Sequence, residues 1–229
     1  MRLTLDVLIL SLVKDVCDSE TGIRRFLKEL YFSIPYSVVL RIHLEKKGIR
    51  ALGIAESFRV GQSNRSVLAG VVMRSDLVID GFVFGSSTLE GNDATDAVVK
   101  MYKTLKRNDI NVVILGGAVL SLYNIINLDE VGSETNLPVI CVTFEESEGL
   151  EETIKNHFPD RWRSKLKTYS KLGERNRVNL KTGYHVFIRN HGIYSEIATK
   201  VLDKFTVQGA IPEPIRVARL MARARIISS

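Results

Sequence analysis

Between Ile49 and Phe84 the chain reads IRALGIAESFRVGQSNRSVLAGVVMRSDLVIDGFVF, and the rhythm of this stretch sets the plan of the fold. Three β-rich runs stand out: Ile49 to Glu56, Arg65 to Arg74 and Leu77 to Phe84, joined by short polar or Gly-containing links. Runs of that kind with links that short predict a three-stranded antiparallel meander. The period then changes. Gly91-Asn92-Asp93-Ala94-Thr95-Asp96 sets an N-cap residue and a first-turn acid before Ala97, Val98, Met101, Tyr102 and Leu105, which share one helical face.

Asn111 to Leu115 (NVVIL) and Leu137 to Val142 (LPVICV) are short, continuous apolar runs. Such runs signal strands buried on both faces of a parallel sheet covered by helices. Gly116-Gly117 closes the first run and leads into an expected helix through Leu120, Tyr123 and Ile126, in which Tyr123 and Asn124 pack and cap. Thr143-Phe144-Glu145-Glu146 comes after the second run with the form of a capping box, so a helix is expected there. Further on come a basic helix over about 161 to 172, a hairpin turning near Lys181-Thr182-Gly183, and helices over roughly Tyr194 to Thr206 and Pro214 to Arg225. In the last helix Arg216, Arg219 and Arg223 share one face, and Val217, Leu220, Met221 and Ala224 form the other. Residues 1–48 carry no apolar period and are interrupted by Pro35; they are expected to be an extension outside a fold made by residues 49–229.

Composition narrows the class. The 229 residues are 45% hydrophobic and 25% charged, with 16 Gly and 5 Pro, which excludes wholesale disorder and fibrous repeats. Cys17 and Cys141 lie far apart with no C-x-x-C pair, so neither a zinc ribbon nor a disulfide framework is supported, and a reducing cytoplasm is the expected compartment. The apolar run from Leu3 to Val13 contains Asp6 and is too short for a membrane span, which needs roughly 20 residues. No membrane partner is therefore expected. The net charge of +6 is unevenly placed: residues 49–144 hold 8 basic and 10 acidic residues, and residues 145–229 hold 16 and 10. Arg161, Arg163, Lys165, Lys167, Arg175 and Arg177 lie in a segment interleaved with Trp162, Tyr169, Tyr184 and Phe187. Cations and aromatics so mixed suit phosphate contacts and base stacking, and equally suit a solvated helix face followed by a hairpin.

The order of elements, three antiparallel strands and then alternating helices and parallel strands, is the ribonuclease H-like α/β plan. Particular segments go further. IRALGIAESF (49–58), LAGVV (68–72), GNDAT (91–95), YNII (123–126), LPV (137–139) and PEPIRVAR (212–219) together resemble the archaeal domain-of-unknown-function family 99, itself similar to endonuclease V. The resemblance covers about residues 47 to 225. It implies a mixed sheet with flanking helices and distant kinship with enzymes that nick nucleic acid near deaminated bases.

Nucleases of this plan gather carboxylates that hold one or two Mg²⁺ ions, which generate hydroxide and stabilise the in-line phosphoryl transition state. The candidates here are Glu56, at the end of the first strand beside Ala55, and Asp93 and Asp96 at the first helix; Glu56 and Asp93 would be the metal ligands. At the end of the fourth strand, where endonuclease V has an Asp, this sequence has Gly116-Gly117. The Gly pair is a weaker candidate for an anion cradle. His185 and His191 lack metal-ligand spacing and read as surface residues, and no G-x-S-x-G elbow is present. Two readings result: a divergent Mg²⁺-dependent endonuclease, or a noncatalytic nucleic-acid-binding or scaffold protein that kept the fold. In both, Arg161, Arg163, Lys165, Lys167, Arg175, Arg177, Arg216 and Arg219 would grip DNA or RNA. Convergence of Glu56, Asp93 and a third carboxylate separates the two.

Overall fold

The computed structural model describes residue 42 and residues 48–146 and 149–228. The expected N-terminal extension, with Cys17, thus lies outside the described residues except for residues 42 and 48. Strands β1 (Arg50–Ser57), β2 (Arg65–Arg74) and β3 (Ile79–Thr88) form the expected antiparallel meander. Helix α1 (Ala94–Leu105) comes next, and then β4 (Val112–Leu115) enters parallel to β1. After a small hairpin of β5 (Val119–Leu120) and β6 (Asn124–Ile125) and helix α2 (Leu128–Thr135), β7 (Val139–Thr143) lies parallel to β4. Helices α3 (Glu151–His157) and α4 (Trp162–Lys171) lead to β8 (Asn176–Asn179) and β9 (His185–His191), the latter antiparallel to β7. Helices α5 (Ser195–Phe205) and α6 (Glu213–Ile227) complete the fold. The order in the large sheet is β3-β2-β1-β4-β7-β9-β8.

The continuous apolar runs are explained by burial on two sides. In β4, Val112 and Ile114 face one core with Ala51, Ala55 and the residues Ala198, Leu202, Ile215 and Ala218 of α5 and α6. Val113 and Leu115 face a second core with Leu52, Ile54, Leu68 and the α1 residues Val98 and Met101. A third, smaller cluster joins Ile125 to Ile154, Phe158 and Tyr169 of the α3–α4 region.

The structure corrects three expectations. Leu120, Tyr123 and Ile126 do not lie on a helix: the tip of the β5–β6 hairpin, Ser121, Leu122 and Tyr123, has φ of 48°, 53° and 66°. Their three-residue spacing imitates a helical face, but three successive left-handed residues cannot continue a right-handed helix. The capping box at Thr143 is also absent. Thr143 stays in β7, where its hydroxyl donates to Phe187 O, and the next helix begins at Glu151. In α6 the buried face is Ile215, Ala218 and Ala222, whereas Leu220 is exposed on the arginine side.

Helix α6 is pressed unusually close to β1. A Cβ on Gly53 would stand 2.3 Å from Pro214 Cβ, so only glycine permits the contact. A Cβ on Gly116 would likewise meet Ile215 at 3.1 Å. These approaches fix the α6 arginines beside the end of β1, where Glu56 stands.

Candidate nucleic-acid site

Glu56 pairs with Leu68 across the sheet and shares the face covered by α1. Both its oxygens accept from Ser121 N, at 2.9 and 2.8 Å, and Oε2 also accepts from Ser121 Oγ at 2.9 Å. The Ser121 hydroxyl is 2.6 Å from both Ser66 Oγ and Ser87 Oγ, and all three serines are buried. Burial lifts the Glu56 carboxyl above its ordinary value, with the bonds from Ser121 and Ser66 offsetting part of that rise.

Asp93 occupies the N-cap position of α1 without capping it with its side chain. Its carboxylate instead turns back to β3, accepting from Thr88 N at 2.9 Å, Thr88 Oγ1 at 2.8 Å and Asn124 Nδ2 at 2.7 Å. Asn124, wholly buried, takes over the cap: its Oδ1 accepts from Ala94 N at 3.0 Å. Burial pushes the Asp93 carboxyl up, but the Thr88 and Asn124 bonds together outweigh it and hold the group below the usual carboxylate range. Asp96 lines a surface cavity of about 330 Å³ with Asp93, Arg65 and Lys100. One hairpin thus engages both principal acids, Ser121 holding one and Asn124 holding the other. Tyr123 packs edge-on to Phe158, so this pair packs and caps as expected.

Among the described residues no three His, Cys, Asp or Glu side chains converge to hold a metal ion. Gly116 and Gly117 supply no side chain, and the Glu56 and Asp93 oxygens are engaged by N–H and O–H donors. Gly116 N donates to Ile54 O at 2.9 Å, which also removes it from an anion cradle. Two further acids, Asp80 and Asp109, are bound by Arg50 and Arg107 at 2.8 to 3.2 Å.

The basic residues divide sharply. Lys165 is 3% exposed, and its ammonium donates to Gly91 O, Asn92 Oδ1 and Tyr123 O at 2.8, 3.1 and 2.9 Å, leaving no proton for a phosphate. Arg175 donates to Glu145 O and stacks on Phe187, and Arg216 is gripped by Glu213. Arg161, Arg163, Lys167 and Arg177 are exposed. Arg163, Lys167 and Lys171, four residues apart, form a stripe along α4. Three of the four interleaved aromatics are not open stacking platforms. Arg163 lies over Trp162 and Arg189 over buried Tyr169, while Phe187 is buried under Arg175; only Tyr184 of the four is exposed.

Sequence reading missed Ser66, Ser87 and Ser121, whose facing positions appear only once β2, β3 and the hairpin are aligned. It also missed the pair of His157 Nε2 and Glu90 Oε1, 2.6 Å apart beside Tyr123. His185 is exposed, whereas His191 Nδ1 meets Asp129 at 2.7 Å.

The model of one protein family, described as endonuclease dU, matches residues 47–226. The chain belongs to that family. A UPF0215 protein of Pyrobaculum calidifontis is 37% identical over 172 residues, spanning 75% of this chain and 93% of that protein. A protein of unknown function from Archaeoglobus fulgidus has a similar structure, with 25% identity and a TM-score of 0.66 over 77% of this chain and 98% of that one. Endonuclease V of Ciona intestinalis, in complex with a 24mer DNA containing an inosine followed by a ribo-adenosine, superposes with a TM-score of 0.53 and 16% identity. It covers 80% of this chain and 87% of that one. That likeness establishes for the endonuclease dU family member described here a mixed sheet flanked by helices, of the endonuclease V and ribonuclease H type. Among the described residues no helix is long and apolar enough to cross a membrane.

Proposed function

We propose that this chain is a nucleic-acid-binding member of the endonuclease dU family whose acids no longer form a divalent-metal centre. One observation carries the reading: Glu56 and Asp93 are each bonded to donors of one hairpin, and among the described residues no third ligand joins them. The exposed stripe of Arg163, Lys167 and Lys171, with Arg161 and Arg177, supplies sequence-independent phosphate contacts. DNA containing deoxyuridine is the first ligand to try, because the name of the family points to it. DNA containing inosine is the second, because it is bound by a protein of the same fold.

The test is fluorescence anisotropy with single- and double-stranded oligonucleotides carrying either base, in parallel with incubation in Mg²⁺ or Mn²⁺. Binding is expected without cleavage, weakening about 100-fold between roughly 50 and 200 mM salt if four phosphates are contacted. Absence of binding to every oligonucleotide, or binding indifferent to salt, would sink the proposal. A second reading, cleavage, is favoured by the opposite tuning of Glu56 and Asp93 across the hairpin, a pattern that separates an acid from a base. Metal-dependent nicking that both Glu56→Gln and Asp93→Asn abolish would put that reading in place of the first.

A further inference from the structure

Among the described residues, Arg219 is a cation with no counter-charge. It is half-buried, its guanidinium lies 4.8 Å from the centre of the Phe144 ring, and no described residue offers it a hydrogen bond or an ion pair. Other arginines partly withdrawn from water have acceptors: Arg50 and Arg107 have Asp80 and Asp109, Arg175 has Glu145 O, and Arg189 has Gly173 O. Burial alone lowers the Arg219 pKa, as expected of a desolvated charge that no described residue compensates. A guanidinium presents five N–H donors in a rigid fork, and removing them from water without an acceptor is costly.

Arg219 lines a cleft of about 330 Å³ between the end of β1 and α6, with Glu56, Ser57, Ile211, Arg216, Leu220 and Arg223. At roughly 30 Å³ per water, that is room for on the order of ten waters. Arg223 is exposed and has no carboxylate partner among the described residues either. Ser57 adds a hydroxyl that no described residue engages. The two acids nearby do not cancel this charge: Glu213 is held by Arg216, and the Glu56 carboxylate is bonded to Ser121 on the sheet face covered by α1. Close contact of Gly53 with Pro214 holds α6 in place, so the helix that carries the donors is positioned before any ligand arrives.

We infer that this cleft is a phosphate subsite, in which Arg219 and Arg223 donate to the oxygens of a phosphate group and Ser57 completes the set. The inference deepens the nucleic-acid reading and rests on it for the source of the phosphate. Arginine forks match phosphate geometry, and two uncompensated charges suit one dianion or two neighbouring diesters.

The experiment is calorimetric titration of the full chain with inorganic phosphate, with a nucleoside 5′-monophosphate, and with a short oligonucleotide lacking terminal phosphates. A terminal phosphate as ligand gives tighter binding of the monophosphate; an internal phosphodiester gives tighter binding of the oligonucleotide. Arg219→Gln and Arg223→Gln are each expected to weaken the preferred ligand about tenfold, roughly 1.4 kcal/mol. Arg219→Lys, which keeps the charge but not the fork, is expected to recover only part of the loss. Lys106→Gln, at the exposed C-terminal end of α1, is the control and leaves this binding unchanged. Arg223 is exposed, so its variant tests the site even if Arg219→Gln fails to fold. If neither phosphate nor monophosphate binds and oligonucleotides bind Arg223→Gln as they bind the natural chain, the inference falls and the nucleic-acid reading stands. Phosphate binding that both glutamine variants weaken, with no oligonucleotide bound, keeps the subsite and removes the nucleic-acid reading.

Discussion

Glu56 is answered chiefly by a residue 65 positions away, since Ser121 supplies both an N–H and a hydroxyl that bond its carboxylate. Its place at a strand end was legible in Gly-Ile-Ala-Glu, but its partner was not, because nothing local marks Ser121 as a donor. The consequence is a definite pH dependence. A carboxyl whose pKa is raised in the folded state adds stability that is complete below its unfolded pKa and is lost as pH rises through the folded value. Glu56→Gln, which stays neutral, should therefore gain on the natural chain as pH rises from about 4, near the ordinary carboxyl range, towards 8. Thermal unfolding of both proteins across that interval checks it. A difference that is constant with pH, or that grows in favour of Glu56, contradicts the account.

At the scale of elements, the β5–β6 hairpin is where local pattern and structure part. Its left-handed tip costs roughly 1–2 kcal/mol per residue. Bonds from Ser121 N to Glu56, from Glu90 N to Ser121 O and from Ile126 N to Ala118 O offset that cost. Glu56 and Glu90 lie far from the tip along the chain, so periodicity could not reveal them. The contact between α6 and β1 has the opposite character, because one atom decides it. Gly53→Ala is expected to lose about 1–3 kcal/mol from overpacking against Pro214, or roughly 2–4 °C in Tm per kcal/mol. Calorimetry reads this directly, and an unchanged Tm would mean that α6 can move away freely.

Across the whole molecule, the surplus positive charge after residue 144 does several different jobs. Lys165 joins α4 to the β3–α1 loop and the hairpin through three acceptors, so it is a structural tie. Lys165→Met keeps the length but strands those acceptors, and about 2–4 kcal/mol of stability should be lost in denaturant unfolding. A change under about 1 kcal/mol would show that water replaces the ammonium. The stripe of Arg163 and Lys167, by contrast, should matter only to ligand. Arg163→Gln with Lys167→Gln is expected to change unfolding by no more than about 1 kcal/mol, the worth of the Arg163 contact with Trp162, and to reduce the salt slope of oligonucleotide binding by about two. An unchanged slope would place the phosphate contacts elsewhere.

Patterning by itself determined the sheet and most helices of this protein. The meander, the two parallel strands, α1, the basic helix and the two C-terminal helices each arise from a period or a composition that acts over a few residues. Which acids were free was a tertiary matter. Asp93 looked like a helix cap and became the partner of Thr88 and Asn124, Lys165 looked like a phosphate contact and became core, and Arg219 emerged as a charge with no ionic partner among the described residues. The physical reason is range. Backbone conformation responds to neighbours along the chain, whereas the availability of a carboxylate or a guanidinium depends on donors and acceptors brought to it from about 30 to 70 residues away, as for Asp93, Glu56 and Lys165.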